Sequence, residues 1–385
     1  MNILIIGNGF DLAHGLPTKY EHFLKYVDAF KRFEDNCRKK TIKDIWQTAT
    51  EEDQSFLIEF SNLYETKRKL YEEIDTLVTA NIWIDHFWEI YKNRSVAGND
   101  GWIDFESEIS KIIQTLDAAR STILNQIKQG HEPGIMAPQQ SNILSPILKK
   151  LKKSSDCITF DDIEVIKTAL LTDLNKLTRC LEIYLINYVE KKDLVFRLPD
   201  VEKLDVQYVL SFNYTHTYQK FYHKDKNEEI HYDYIHGETR CESNIDNCNL
   251  ILGIDEYLVG DAKDKENEFI QFKKFYQRIY KMTGCKYVDW INNLEQLWLR
   301  YGSRDATHNI YIIGHSLDIT DKDILSSLIN LENVKTTIFY HSQAALGSQI
   351  NNLVKVLGED NLIAKVHGKS ARIVFQKQQE PIKIR

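Results

Sequence analysis

The sequence predicts an α/β protein, with a Rossmann-like parallel sheet flanked by helices and a large all-helical insertion after the first βα unit. Three observations support this prediction. Asn2–Ile6 is a short and almost wholly apolar run, as a strand buried on both faces requires. A glycine turn, Gly7-Asn8-Gly9, follows at once, and a helical pattern begins near Tyr20. From about residue 200 onward, short β-branched and aromatic runs alternate with helical patterns, which is typical of a parallel sheet.

The start of the first helix is predicted from Thr18 and Glu21, which have the spacing of a capping box. Glycines in the preceding turn allow positive φ angles and the close approach of a ligand. A strand, a glycine turn and a helix start in this order are the layout that directs helix N–H groups at a nucleotide phosphate. Leu12 occupies the place of the third glycine of the dinucleotide fingerprint, and Asp11 adds a negative charge. A glycine turn that binds no ligand is therefore the alternative.

Residues from about 20 to 195 form an all-helical block, because apolar residues recur there at helical spacing. The stretch 129–146 holds three of the six prolines and no helical period, so a loop is expected there. Strands are expected at 206–211, 230–235, 250–252, 310–313, 336–340 and 371–375, and helices at 269–280, 287–299, 321–331 and 343–357. We therefore expect a discontinuous nucleotide-binding domain (1–20 plus 200–385) and a helical insertion domain (21–199).

Composition and charge narrow the class of protein. The formal net charge of -7 makes nucleic acid an unlikely partner. The six cysteines are scattered without a C-x-x-C pair, so we expect free thiols in a reducing cytoplasm and no zinc site. The sequence has neither a secretory signal pattern nor a charge-free apolar run of about twenty residues. A cytoplasmic protein with no membrane partner is the expectation.

Polar residues and glycines follow four of the expected strands. In chain order these segments are Phe212-Asn213-Tyr214-Thr215, His236-Gly237, Gly253-Ile254-Asp255 and Gly314-His315-Ser316-Leu317-Asp318. Ligands of open parallel sheets bind beyond the carboxyl ends of the strands. These endings, together with the opening glycine turn, therefore predict one shared ligand cleft.

The same segments resemble the bacteriophage abortive-infection AbiH family over nearly the whole chain. The resemblance lies in Gly7-Asn8-Gly9-Phe10-Asp11-Leu12-Ala13-His14-Gly15-Leu16-Pro17-Thr18-Lys19-Tyr20, Trp102-x-x-Phe105-Glu106, Ser211-Phe212-Asn213-Tyr214, Ile235-His236-Gly237 and Gly314-His315-Ser316-Leu317-Asp318. It implies a bacterial phage-defence protein.

The chain is more distantly similar to sirtuin-like defence domains that cleave NAD. An opening glycine turn, an Asn-Tyr after a central strand, a His-Gly and a glycine-serine loop with an aspartate occur here in that family's order. Thr215 stands where that family usually has Asp, and Asn8 replaces a small residue. The cysteines of the sirtuin zinc ribbon are absent from the sequence, which argues against protein deacylation.

The resemblance implies roles for individual residues. His236 is the predicted general base and Asn213 the residue that holds the attacking water or the ribose, so these two are the catalytic candidates. NAD would be the substrate, with no cofactor required and no metal. The residues predicted to bind the nucleotide are Gly7, Asn8, Gly9, Phe10, Asp11, Tyr214, Gly237, Gly314, His315, Ser316 and Asp318.

Each candidate also has a purely structural interpretation. His236 could be a half-buried histidine satisfied by the backbone, and Asn213 could cap a helix beginning near Thr215. Asp318 and Thr320 could cap the helix expected at 321–331. A metal site at His223, His231, Asp233 and His236 is disfavoured, because strand alternation puts His236 on the opposite face from His231 and Asp233.

The sequence thus predicts a phage-defence protein that hydrolyses NAD to nicotinamide and ADP-ribose. The alternatives are a non-catalytic module that senses a nucleotide or a phage component, and a metal-dependent nuclease. Expected partners are NAD or a related nucleotide and a phage-derived trigger, and a homo-oligomer is left open.

Overall fold

A computed structural model describes residues 1–39, 49–96, 103–130, 147, 158–223, 229–258, 267–301, 308–331, 333–369 and 371–384. The chain forms two compact units. The first, which we call the sheet unit, comprises Met1–Lys19, Leu185–Arg240 and Lys281–Arg385. The second, the helical unit, comprises Tyr20–Tyr184 and Cys241–Tyr280. These bounds correct the predicted ones in two places. Residues 241–280 belong to the helical unit rather than to the nucleotide-binding domain, and residues 185–199 belong to the sheet unit rather than to the helical insertion.

The sheet unit contains a six-stranded parallel sheet. The strands are β1 (Asn2–Ile6), β2 (Phe196–Arg197), β3 (Tyr208–Ser211), β4 (His231–Tyr234), β5 (His308–Ile313), β6 (Val334–Tyr340), β7 (Ile373–Lys377) and β8 (Ile382–Lys383). The order in the main sheet is β4-β3-β1-β5-β6-β7, and β2 pairs with β8 in an antiparallel ribbon. Counted along the chain, the six strands have the Rossmann order 3-2-1-4-5-6, in which the direction of winding reverses between β1 and β5.

The register of this sheet aligns the ends of its central strands. Ile6 at the end of β1 pairs with Ser211 of β3 and with Ile313 of β5, and Ser211 pairs with Tyr234 of β4. The loops after β1, β3, β4 and β5 therefore leave the sheet at the same edge. This edge is where open α/β sheets bind ligands.

Both faces of the sheet are covered by apolar side chains, because successive residues of a strand point to opposite faces. Ile3, Ile5 and Ile312 belong to one buried cluster, whereas Leu4 and Ile6 belong to the other. The almost uninterrupted apolar run of β1 is explained by this double burial.

The helices agree in large part with the predicted pattern. They are α1 (Asn8–Ala13), α2 (Tyr20–Lys39), α3 (Glu51–Thr66), α4 (Arg68–Val78), α5 (Ile82–Val96), α6 (Phe105–Lys128), α7 (Phe160–Tyr184), α8 (Pro199–Glu202), α9 (Thr217–Phe221), α10 (Lys274–Tyr280), α11 (Tyr287–Tyr301), α12 (Lys322–Ile329), α13 (Gln343–Leu357) and α14 (Glu359–His367). A π-helical turn, Leu185–Val189, continues α7, and short 3₁₀ turns occur at Ile270–Phe272 and Ile319–Asp321.

Three local predictions were wrong. A short helix, α1, begins at Asn8, within the predicted glycine turn and well before Tyr20, and the Thr18 hydroxyl donates to the side-chain oxygen of Asn8 at 2.6 Å. The apolar stretch from 56 to 77, whose helical spacing predicts one long helix, forms two helices, which are separated at Lys67. Leu250–Leu252 was expected to form a strand; it is fully buried but pairs with no strand. The nearby Ile254 makes an isolated β-bridge to Lys273. The loop expected at 129–146 lies almost wholly outside the described residues.

The helical unit has an aromatic core. Tyr26 packs against Phe56, Phe60 and Tyr184 with ring centroids 4.9 to 5.6 Å apart. The indole N–H of Trp83 donates to the carbonyl of Leu170 at 2.8 Å. Aromatic pairs of this kind stabilise a core by about 1 kcal/mol each beyond the burial of their area.

Two observations concern the whole of the described chain. None of its helices combines the length and the apolar character that a membrane crossing requires. Among the described residues, Cys180, Cys241, Cys248 and Cys285 form no disulfide bond.

Candidate functional site

The loops at the carboxyl edge of the sheet meet at Gly7, the residue after β1. The Gly7 carbonyl accepts a hydrogen bond from the Asn213 side-chain amide at 3.0 Å, so the loop after β3 is tied to it. The Gly7 N–H donates to the carbonyl of Ile313, the last residue of β5, at 3.3 Å. The structure therefore brings together segments that are more than 200 residues apart in the chain.

The glycines at this edge are required by the packing of one backbone on another. A Cβ on Gly7 would lie 2.8 Å from the carbonyl oxygen of Gly314, and one on Gly9 would lie 2.9 Å from the same atom. Gly314 has a φ of 67°, and its Cβ would lie 2.1 Å from the backbone nitrogen of Phe10. Gly7 has a φ of -126°, so its role is close approach rather than a left-handed turn. The space beside Gly7 and Gly9, where a nucleotide phosphate was expected to bind, is thus filled by the loop after β5.

Asn213 lies on the floor of this edge, with only 5% of its surface exposed. Its backbone N–H donates to the Ser211 hydroxyl at 3.1 Å. Helix α9 begins four residues later, at Thr217, with His216 as its N-cap residue. The interpretation of Asn213 as a helix cap was therefore wrong, and its side-chain oxygen, which is buried, accepts no hydrogen bond from any described residue.

Asp11 is the most deeply buried acid of the site, with 1% exposure. The Thr215 hydroxyl donates to its Oδ2, while Oδ1 is buried and accepts no hydrogen bond within the described part of the chain. Burial raises the pKa of Asp11 to about 6, although the polar side chains of Thr215, Thr217 and Asn213 beside it oppose the increase. Because it is buried, this carboxyl does not present its charge to a pyrophosphate at the surface of the turn.

His236 and His315 both approach the carboxylate of Asp321, which the sequence analysis did not select. Nε2 of His236 lies 3.6 Å from Asp321 Oδ1, and Nε2 of His315 lies 3.4 Å from Oδ2. The ring of Phe212 contacts both imidazoles edge to face, with centroids 5.6 and 4.3 Å away. His315 also lies against Gly7, since a Cβ there would be 2.9 Å from its Cδ2. His236 is thus buried, but in a polar environment.

A second polar cluster surrounds His216 after β3. Its Nδ1 lies 3.1 Å from Glu190 and its Nε2 lies 3.2 Å from Glu238. Burial opposes protonation of this imidazole, but the two carboxylates outweigh it and raise the pKa of His216 to about 9. The Thr239 hydroxyl donates to Glu190 at 2.7 Å. His216 is therefore a cation at neutral pH.

Several predicted binding residues are placed elsewhere. The ring of Phe10 is fully buried and packs against His14 in the core, while Asn8 is exposed and accepts from Thr18. Asp318 caps the turn Ile319–Asp321 by accepting from the Thr320 N–H at 3.1 Å, as its structural interpretation expected.

The remaining predicted residues lie in the loops at the carboxyl ends of the strands. The Ser316 side chain is exposed, and its carbonyl accepts from the Asn352 amide at 2.9 Å. Tyr214 is half-buried, and its carbonyl accepts from the Thr239 N–H at 2.9 Å. Gly237 has a φ of 82° and closes the turn after β4, a conformation that glycine adopts without strain.

The histidines and acids around β4 do not gather into a metal site. The ring of His231 stacks on Tyr208, and Asp233 Oδ2 accepts from the Tyr287 N–H at 2.8 Å. Nδ1 of His223 lies 3.1 Å from the Tyr232 hydroxyl. Among the residues that the structure describes, no group of three or more His, Cys, Asp or Glu side chains is arranged to hold a metal ion.

Reasoning from the sequence missed Asp321, Glu190 and His216. Asp321 is three residues beyond Asp318, so the sequence offered both acids, but only the turn between them decides which one faces the histidines. His216 directly follows a segment already selected and could have been included. Glu190 lies far from β3 in the chain and in a helical pattern, so no local signal marks it.

Comparison with known proteins identifies the family. The family model described as bacteriophage abortive infection AbiH matches residues 3–341. Trp102 of the resembling motifs lies outside the described residues, and Phe105 and Glu106 of the same motif begin α6. The segments at Ser211, Ile235 and Gly314 form strand ends and loops at the carboxyl edge of the sheet. No curated protein matches the chain. Because the family match covers most of the 385 residues, this chain belongs to the bacteriophage abortive infection AbiH family.

Proposed function

We propose that this protein acts in abortive infection by hydrolysing NAD to nicotinamide and ADP-ribose at the carboxyl edge of its sheet. One observation carries the proposal: His236 and Asn213 are both buried polar side chains connected to the same glycine turn. Asn213 contacts Gly7 directly, and His236 is connected to it through Asp321 and His315. A Rossmann strand order with polar loops at its switch point supports a nucleotide as the ligand.

The proposed reaction breaks the bond between the nicotinamide nitrogen and C1′ of the ribose. The bonding electrons leave with nicotinamide, which becomes neutral, and the ribose passes through an oxocarbenium-like state. A water oxygen forms the new bond to C1′, and one proton of that water moves to His236. An imidazole suits this step because it accepts and releases protons near neutral pH.

Asn213 would position the reacting groups. Its amide N–H₂ is engaged by the Gly7 carbonyl, which orients the side chain and leaves the buried oxygen as an acceptor. An amide oxygen accepts a hydrogen bond from a water or a ribose hydroxyl while remaining neutral. A group oriented in this way lowers the entropic cost of reaching the reactive geometry.

Thr215 stands where the sirtuin-like domains usually have an aspartate, and the contacts of Thr215 explain this difference in a way that is consistent with the proposal. The Thr215 hydroxyl donates to Asp11, so the site retains a carboxyl at this place, supplied by the loop after β1. An aspartate at position 215 would place two carboxylates in contact in a buried site, and like charges there destabilise one another. Asp11 and Thr215 together therefore provide one acid and one hydroxyl.

The test is an assay of nicotinamide release from NAD by the purified protein. We expect His236→Ala and Asn213→Ala to lower the rate by about 10²-fold or more, as loss of a general base or an oriented polar group does. Two matched controls should retain wild-type rates: His231→Ala, an exposed histidine on β4, and Asn361→Ala, an exposed asparagine on α14. The rate should not respond to EDTA.

Three outcomes would contradict the proposal. Full nicotinamide release by both site variants would remove the proposed site. Tight nucleotide binding without product after long incubation would favour a sensing module instead. Cleavage of nucleic acid that EDTA abolishes would favour the nuclease alternative.

A further inference from the structure

We infer that Asp321 is a positioning residue that orients His236 and is itself held by His315. The inference rests on the proposed function, because it assigns Asp321 a part in the same reaction. It follows from the contacts of two imidazoles with one half-buried carboxylate.

The first contact sets the proton position on His315. The backbone N–H of Leu317 donates to His315 Nδ1 at 2.9 Å, so this nitrogen carries no proton. A neutral imidazole with an unprotonated Nδ1 has its proton on Nε2. Leu317 has a φ of 59° and a fully buried side chain, so packing holds its N–H in this uncommon orientation.

The second contact directs this proton at Asp321. The protonated Nε2 of His315 faces Asp321 Oδ2 at 3.4 Å, and the other carboxylate oxygen lies 3.6 Å from His236 Nε2. The side chains of His315, His236 and Asp321 are 3%, 11% and 11% exposed. Phe212 borders both imidazoles, and its ring excludes water from this side. Charges at such distances interact more strongly in a partly dry environment than in water.

The contact between Asp321 and His236 affects the chemical step of the proposed reaction. When His236 takes the proton from the attacking water, it becomes a cation beside the Asp321 carboxylate. The carboxylate therefore stabilises a charge that develops in the transition state and is absent from the bound ground state. Interactions of this kind raise kcat and leave KM nearly unchanged.

The kinetic test compares Asp321→Asn with Asp323→Asn. Both substitutions remove one negative charge at the start of the same helical segment, but Asp323 is exposed. We expect Asp321→Asn to lower kcat for nicotinamide release by about 10²-fold with KM changed less than about threefold. Asp323→Asn should match the wild type. An unchanged kcat, or a loss confined to KM, for folded Asp321→Asn protein would overturn the inference.

A second measurement does not depend on NAD. In protein labelled with ¹⁵N-histidine, His315 should show an unprotonated Nδ1 and a protonated Nε2. Asp321→Asn should shift the imidazole nitrogen signals of both His236 and His315, and Asp323→Asn should shift neither. If the wild type releases no nicotinamide, the proposed function fails, and the signals alone then test the contact. Unshifted His236 signals in Asp321→Asn would overturn the inference.

Discussion

Asp11 is a residue whose burial lowers the stability of the fold at neutral pH. Its carboxyl group is buried. One carboxyl oxygen accepts a hydrogen bond from the Thr215 hydroxyl, and the other accepts none from the described residues. Burial raises its pKa from 3.8 to about 6. Strongly shifted pKa values of buried groups are common at functional sites, because catalytic groups need pKa values matched to their task.

This shift predicts how stability depends on pH. Between about pH 4 and pH 6 the folded chain holds the Asp11 proton more tightly than the unfolded chain, so this contribution to stability falls as the pH rises. A shift of this size corresponds to about 3 kcal/mol at neutral pH. Asp11→Asn should therefore be more stable than the wild type at pH 7 and lose this advantage near pH 4.

Chemical denaturation at several pH values measures this difference. Asp193→Asn, at an exposed acid of the same unit, should follow the wild type throughout. If the free energies of unfolding of Asp11→Asn and the wild type differed by the same amount at every pH, the assignment of a raised pKa to Asp11 would be contradicted.

His216 has the opposite dependence. Its pKa lies at about 9 in the folded protein, above the usual 6.5, because Glu190 and Glu238 outweigh the effect of burial. The resulting stabilisation is complete below pH 6.5 and is lost as the pH rises through 9. His216→Gln should therefore unfold at a lower temperature than the wild type at pH 6, and the gap should narrow by pH 10. A gap independent of pH would exclude this charge interaction.

At the scale of elements, the loop after β5 packs its backbone against the start of α1. Gly9 donates its N–H to the carbonyl of Gly314 at 2.8 Å, and Gly314 has a positive φ. The contact holds the loop that carries His315 against the loop after β1. The two loops beside the switch point are therefore joined directly through their backbones.

Two glycine substitutions test this contact. Gly314→Ala should destabilise the fold by more than about 2 kcal/mol, since its Cβ would meet the Phe10 backbone and its φ is unfavourable for alanine. Gly347→Ala, in the interior of α13 with no atom within 4 Å of its Cβ, should stabilise by up to about 1 kcal/mol. Thermal unfolding measures the stability of both variants. Equal changes in stability in the two variants would contradict the packing of Gly314 on α1.

At the scale of the whole molecule, membership of the AbiH family and the site proposal lead to a cellular prediction. Cells that express the wild-type protein should lose NAD after phage infection and stop growing before phage are released. Cells that express His236→Ala to the same level should keep their NAD. Measurement of NAD through infection tests this, and growth arrest without NAD loss would require another activity.

The parts of the fold that sequence predicted are those that local patterns encode. The apolar run of β1 and the helical spacing over Gln343–Leu357 predicted their elements closely. Burial of a strand on both faces requires a continuous apolar run, and burial of one helix face requires apolar residues at helical spacing. The run Leu250–Leu252 was misassigned as a strand, because a short buried segment has the same composition whether or not it pairs. Local composition determines which residues are buried, but pairing depends on the partners that are available.

The sequence by itself determined the family, the α/β class and the segments that meet at the carboxyl edge of the sheet. Only the tertiary structure decided which side chains contact each other there. Asp11 meets Thr215 across 204 positions of the chain, and Asp321 rather than Asp318 approaches the two histidines. The physical reason is that these contacts depend on strand register and on loop backbone angles, such as those of Gly314 and Leu317, which the packing of distant segments imposes.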